Sequence, residues 1–223
     1  MADPKTQGLK DAMLESGTLD NEAEITLGLL NAVHENSALT QRSIARDLGI
    51  ALGLANAYLK RCVKKGLIKV SQVPANRYAY YLTPKGFSEK SRLTAEYLSS
   101  SFGFFRAARR QCTDAFLECG RQGWSRVALA GVGDLCEIAT LCALETPVTI
   151  IGIVDPAAKQ PSFATLRVVS RLADLSAIDA VLLTDLRAPQ ETYERMAAML
   201  PVERLLIPRL LHVSRNGANI IGE

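Results

Sequence analysis

The chain has 223 residues, 48% of them hydrophobic, and a net charge of +3, which is enough for one large domain or two small ones with real cores. No apolar run reaches the length of a bilayer span, and the opening stretch "MADPKTQGLKDAML" lacks a signal-peptide core, so a membrane role is excluded and the cytoplasm is the expected compartment. Five cysteines without a CxxC pair, and only two histidines, suggest neither a disulfide framework nor a usual zinc site.

The modest net charge hides an asymmetry. Residues 38–92 hold eleven Lys or Arg against two Asp or Glu, an excess of nine positive charges, so the remainder carries six net negative ones. A basic segment within an otherwise acidic chain has the electrostatics of a polyanion-binding module, although a solvated basic face would have the same composition.

Residues 1–19 are read as a flexible lead-in and 20–83 as the first domain. Asp20 precedes a helix carrying Ile25, Leu29, Leu30 and Val33 that ends near "HENS". Thr40 opens a second helix, "TQRSIARDLGI", with Ile44 and Leu48 on one face and Gly49 as the turn. A third, "ALGLANAYLKRCVKKG", closes at Gly66, with Ala55, Leu59 and either Cys62 or Val63 inward. Two short helices joined at a glycine turn make a helix-turn-helix. "LIKVSQV" and "YAYYLT", separated by "PANR", then form a hairpin wing. The residues placed against DNA are Arg42, Ser43, Gly53, Asn56, Lys60 and Lys64 on the helices and Arg77 at the wing tip.

"LTQRSIARDLGIALGLANAYLKRCVKKGLIKV", followed by "RYAYYLTPKGFSEKSRLTAEYL", resembles the winged-helix DNA-binding domain of MarR-type regulators, particularly the bacterial group associated with extracellular polysaccharide gene clusters. The resemblance covers about residues 23–100. It implies a transcription regulator of cell-surface genes, with Asn56 and Lys60 on the recognition helix and Arg77 on the wing. Ala51 and Leu54 depart from the polar or basic residues usual there.

Residues 84–122 read as a helical connector. Phe87, Leu98, Phe102, Phe105, Cys112, Phe116 and Cys119 fall near one stripe, and Gly103 and the serines at 99–101 are places where it could break. Such a stripe packs on its own domain or pairs with a second copy; a homodimer is the expectation, because two-fold DNA readers use paired half-sites. Cys112 and Cys119, seven apart, leave a redox switch open, with buried small side chains as the alternative.

From residue 123 to 223, strands alternate with helices: "RVALA", "VTIIGIVD", "LRVVS", "DAVLLTD" and "ERLLIP", with helices over Leu135–Leu144 and Pro189–Met199. That order predicts a Rossmann-like parallel sheet with flanking helices, so the fold class expected for the chain is α/β in two domains. The glycines of "AGVGD" would let backbone approach a phosphate, and Asp155 would accept from ribose hydroxyls. Ligands lie beyond strand C-termini, which points to Gly131, Gly133, Asp134, Asp155, Thr184 and Asp185. Cys136 stands where a third glycine would, and Asp134 either opposes a phosphate or caps the helix.

"VALAGVGD", "IIGIVDP", "IDAVLLTD" and "VERLLIPRLLHVS" give this half a resemblance to the nucleotide-binding domain in front of bacterial sugar acyltransferases, and more loosely to the NADH-sensing domain of the Rex repressors. The resemblance implies a nucleotide, nucleotide-sugar or NAD(H) effector. No acid, base or nucleophile is paired over the site, and His212 reads as a surface residue, so a sensor is expected rather than an enzyme. The alternatives are a nucleotide-sugar enzyme tethered to DNA and a Rossmann-like domain serving only dimer or protein contacts.

Overall fold

The computed structural model describes residues 22–73 and 77–214, and its backbone divides into two compact units between Ser101 and Phe102. The first unit opens with a helix over residues 22–35 (α1), whose Leu29, Leu30 and Val33 are buried. Thr40 caps α2 (Gln41–Asp47) through a reciprocal box. Its hydroxyl accepts from the Ser43 amide at 3.1 Å, and the Ser43 hydroxyl accepts from the Thr40 amide at 3.0 Å. Gly49, with φ +64°, makes the left-handed turn into α3 (Leu52–Lys64). Ala55, Leu59 and Cys62 face the core while Val63 is 37% exposed, which settles the open choice between the last two in favour of Cys62.

Gly66, with φ +72°, ends the helix and feeds β1 (Ile68–Val73), which pairs antiparallel with β2 (Arg77–Leu82) from Ile68 opposite Leu82 to Val73 opposite Arg77. Thr83 then ties the hairpin to α4 (Pro84–Arg121): its hydroxyl donates to the Gly66 carbonyl at 2.6 Å and accepts the Gly86 amide at 3.0 Å. A side chain at Gly86 would strike the Leu67 carbonyl oxygen, 2.1 Å from the Cβ position. "TPKG" is therefore a cap, a first-turn proline and a close-approach glycine in sequence.

α4 is helical throughout, so neither Gly103 nor the serines break it. The expected single stripe does not hold. Leu93 joins the core of the first unit, and Ala108, Cys112, Ala115, Phe116 and Cys119 join that of the second, while Phe87, Leu98, Phe102 and Phe105 are exposed.

The second unit continues with β3 (Arg126–Ala130), α5 (Asp134–Ala143), β4 (Thr149–Val154), β5 (Ser162–Phe163), β6 (Leu166–Val169), β7 (Ala180–Leu183), α6 (Pro189–Ala197) and β8 (Leu205–Leu206). The six strands lie in the order β5-β6-β4-β3-β7-β8. All neighbours are parallel except β5 and β6, a short antiparallel pair at the edge, so the sheet is mixed and not parallel throughout as the sequence suggested. Two-residue β5 is too short to show a periodicity. Leu135, Ile138, Leu141 and Leu144 recur at helical spacing in the sequence, but α5 does not bury all four. It buries Leu135, Cys136, Ile138, Ala139 and Cys142, while Leu141 and Leu144 are 53% and 82% exposed.

Candidate nucleic-acid interface and strand-end site

Because α3 sinks Ala55, Leu59 and Cys62 into the core, its other face is outward by helical geometry, and Gly53, Ala57, Lys60 and Lys64 are all exposed there. A side chain built at Gly53 would meet nothing within 4 Å. Asn56 is only half-buried, and its Oδ1 is enclosed without a hydrogen-bond partner, so its carbonyl end is turned into the protein. Arg42 is exposed on α2, whereas the Ser43 hydroxyl is already engaged at both ends of the capping box and donates to the Thr40 carbonyl at 2.8 Å. Arg77 opens β2; its side chain and the wing tip 74–76 lie outside the described residues.

Between α3 and the wing runs a crevice of about 360 Å³. Val63, Val70, Tyr78 and Tyr80 form much of its wall, and Lys60 and Lys64 stand in its lining. Sequence reading missed Tyr78, which is 58% exposed, and the exposed Leu52; Leu54, noted as a departure from the usual polar residue, is exposed beside it at the start of α3. Strand alternation places Tyr78 on the same face as buried Tyr80, so it gave no signal of this exposure; the exposed leucines gave no polar signal.

In the second unit, the ends of β3, β4 and β7 bring Gly131, Asp155, Thr184 and Asp185 together. Gly131 has φ +108°, and a Cβ there would lie 2.6 Å from the Asp185 Cα and 2.7 Å from its nitrogen. Only glycine lets these two strand ends approach so closely. The Thr184 hydroxyl, fully buried, donates to the Gly131 carbonyl at 2.6 Å.

Asp155 is 5% exposed. One of its oxygens accepts the Val132 amide at 3.0 Å and Arg187 Nη2 at 2.7 Å, and the other accepts the Ala157 amide at 2.9 Å. Asp185 accepts the amides of Arg187 and Ala188 at 2.9 and 3.3 Å, and the Thr192 hydroxyl at 2.8 Å. Burial works to raise both carboxyl pKa values, but these donors outweigh it and hold both groups below the usual carboxylate range. The acids placed here for a ligand are thus bound by the protein's own groups. Asp155 takes the Val132 amide of the glycine turn, the kind of donor a phosphate would use.

Gly133, at φ +154°, is the N-cap of α5 without a side-chain cap bond, and exposed Asp134 is the first helical residue. Asp134 therefore favours the helix by charge at its N-terminus and is not its cap. Arg187, on the loop after β7, escaped sequence reading because nothing in "TDLRAP" marks it. It joins Asp155 and Asp185, reaching the second through Nε at 3.5 Å.

All five cysteines are free and buried. Burial pushes the thiols of Cys112, Cys119 and Cys136 up to about 12, which removes the thiolate a redox switch needs at neutral pH. His212 is exposed. Among the described residues, no helix is long and apolar enough to cross a membrane, and no group of three or more metal-ligating side chains gathers.

Residues 22–69 match the family described as winged helix-turn-helix DNA-binding, and with β2 they form a winged helix-turn-helix domain. Among solved structures, the chain is similar to the PcaV transcriptional regulator from Streptomyces coelicolor at 21% identity and a TM-score of 0.34, over 37% of this chain and 62% of that one. It is also similar to a MepR–DNA complex from Staphylococcus aureus at 26% identity and a TM-score of 0.34, over 45% of this chain and 72% of that one. The transcriptional regulator SlyA matches at 22% identity, with a TM-score of 0.34, over 42% and 74%. Likenesses of this size over less than half the chain carry no ligand or target across. No curated protein matches the sequence.

Proposed function

We propose that the chain is a dimeric, cytoplasmic transcription regulator of the MarR type that reads double-stranded DNA with α3 and the wing. The observation that carries this reading is the outward face of α3. Lys60 and Lys64 are exposed beside open space at Gly53, in a segment with nine excess positive charges. A helix of this size enters the major groove, where its cations neutralise phosphates; exposed Leu52 and Leu54 suit contact with thymine methyl groups. Arg42 and Arg77 complete the backbone contacts, and Asn56 reads a base once its amide is turned outward. Control of polysaccharide or cell-surface genes follows from the family resemblance.

The second unit is proposed as a Rossmann-like sensor of a nucleotide, nucleotide-sugar or NAD(H), without enzymatic activity. Counting only the parallel strands, the order across the sheet is third, second, first, fourth, fifth, and the close approach at Gly131 falls where that order reverses. A ligand there must draw Arg187 from Asp155, and its binding energy has to differ between two states to shift DNA affinity. One observation favours a second reading, in which this unit serves only dimer or protein contacts: Asp155, Thr184 and Asp185 are already satisfied internally.

Titration of duplex DNA with and without ATP, UDP-glucose or NADH tests both parts. Salt-dependent DNA binding that one nucleotide shifts supports the whole proposal. Binding unmoved by all three, together with an unchanged melting temperature, leaves the contact-only reading of the second unit.

A further inference from the structure

A groove of the first unit, lined by α1, α3 and α4, combines charges of both signs with an apolar floor. Its volume is about 260 Å³, just under the roughly 300 Å³ at which pockets for drug-sized ligands begin, so it suits a smaller molecule. Cys62 and Leu93, 2% and 5% exposed, are part of its floor. Arg61 and Lys65 at the end of α3, and Glu89 and Leu93 on α4, are each four apart and share a helix face.

The rim carries Arg61, Lys65 and Arg92 against Glu22 and Glu89, one positive charge in excess. Glu22 is ion-paired with Arg61, and Glu89 accepts Arg92 at 2.7 and 2.9 Å. The Lys65 ammonium has no hydrogen bond or ion pair among the described residues. Burial raises the Cys62 thiol pKa, and the charges of Lys65, Arg61 and Glu89 all bear on it, so these groups gather over one floor.

This arrangement selects among small ligands. A plain anion gains Lys65 but faces two carboxylates, and drawing Arg61 or Arg92 to itself strands one of them. A plain cation competes with an arginine for either acid and faces three cations. A ligand carrying both charges close together lets every group keep a partner, because a guanidinium has donors enough for two carboxylates. An apolar substituent then covers Cys62 and Leu93.

We propose that the groove between α1, α3 and α4 binds a free α-amino acid with an apolar side chain, its carboxylate on Lys65 and Arg61, its ammonium on Glu89 and its side chain on Cys62 and Leu93. The site lies in the first unit, apart from the strand-end site, and its occupancy does not depend on α3 reading DNA. Where α3 does read DNA, the ligand engages Arg61 one position from Lys60, and it alters DNA affinity to the extent that free and bound states hold it differently.

Calorimetric titration of the full chain with L-leucine and with L-phenylalanine at millimolar concentration tests it. At least one of them is expected to bind, with its analogue lacking the ammonium (isocaproate, hydrocinnamate) and its analogue lacking the carboxylate (isoamylamine, phenethylamine) each weaker by about tenfold or more. Lys65 is exposed, so Lys65→Gln leaves the core intact, and it should weaken binding by about tenfold; Ala23→Leu, which adds bulk at a half-buried lining position, should abolish it. Binding of neither amino acid overturns the proposal. So does equal binding of either truncated analogue, which makes the groove a plain anion or cation site, and so does binding that Lys65→Gln leaves undiminished, which places the ligand elsewhere.

Discussion

The Asp155 carboxylate at the end of β4 holds the amide of Val132, in the glycine turn after β3, at 3.0 Å. The same oxygen receives Arg187 from the loop after β7 at 2.7 Å, so one buried acid ties three strand ends together. Replacing it with Asn removes the charge-assisted part of these bonds, and a loss of about 1–3 kcal/mol is expected for the second unit, measured by denaturant unfolding at pH 7.

The same pair of acids sets an acid limit. The carboxyl pKa values of Asp155 and Asp185 are depressed in the folded state. Their contribution is therefore complete above the unfolded value of about 4 and is lost as pH falls through the depressed folded values. Unfolding free energy should be flat in this respect from pH 7 to about 5 and decline below about 4, with a shallower decline in Asp155→Asn. An equally steep decline in the variant would show that other carboxylates govern it.

Two glycines separate constraint from tolerance. Gly131→Ala places a methyl against the Asp185 backbone at positive φ and should destabilise by roughly 2–4 kcal/mol. Gly53→Ala meets open space in a helix, and a gain of about 0.5–1 kcal/mol in thermal or chemical unfolding is expected.

Burial of the thiols makes a further expectation. Native protein at pH 8 should resist alkylation at Cys112, Cys119 and Cys136, whose thiols lie near 12, and denaturant should expose all five cysteines to the reagent. Fast modification of Cys112 or Cys119 in the native chain, followed by mass spectrometry, would restore the redox reading.

Removing Lys60 or Lys64 should weaken binding to unrelated duplexes alike, and lower the slope of log affinity against log salt by about 1 for each phosphate that is no longer neutralised. An unchanged slope would place these lysines away from the backbone.

The winged module was legible because its punctuation is local: Thr40, Gly49 and Gly66 each act on their own or a neighbouring backbone group, which short patterns express. The strands β3, β4 and β7 were legible as apolar runs bounded by turns. What the pattern concealed depends on partners distant in sequence. Leu141 and Leu144 share the spacing of core residues but face outward, because Cys136, Ala139 and Cys142 occupy the inner face of α5. Asp155 has the position of a ribose acceptor, yet the residue that engages it, Arg187, lies 32 positions away. Asn56 was placed on the reading face by helical phase, while its rotamer, which encloses Oδ1, is set by packing.

Whether α3 and its wing read DNA is tested most directly by selection of fragmented genomic DNA on the full chain at moderate salt. Retention of discrete sites by wild type, and their loss in Lys60→Ala/Lys64→Ala, is the predicted result. Retention of no preferred sequence, or identical retention by the double variant, would contradict it.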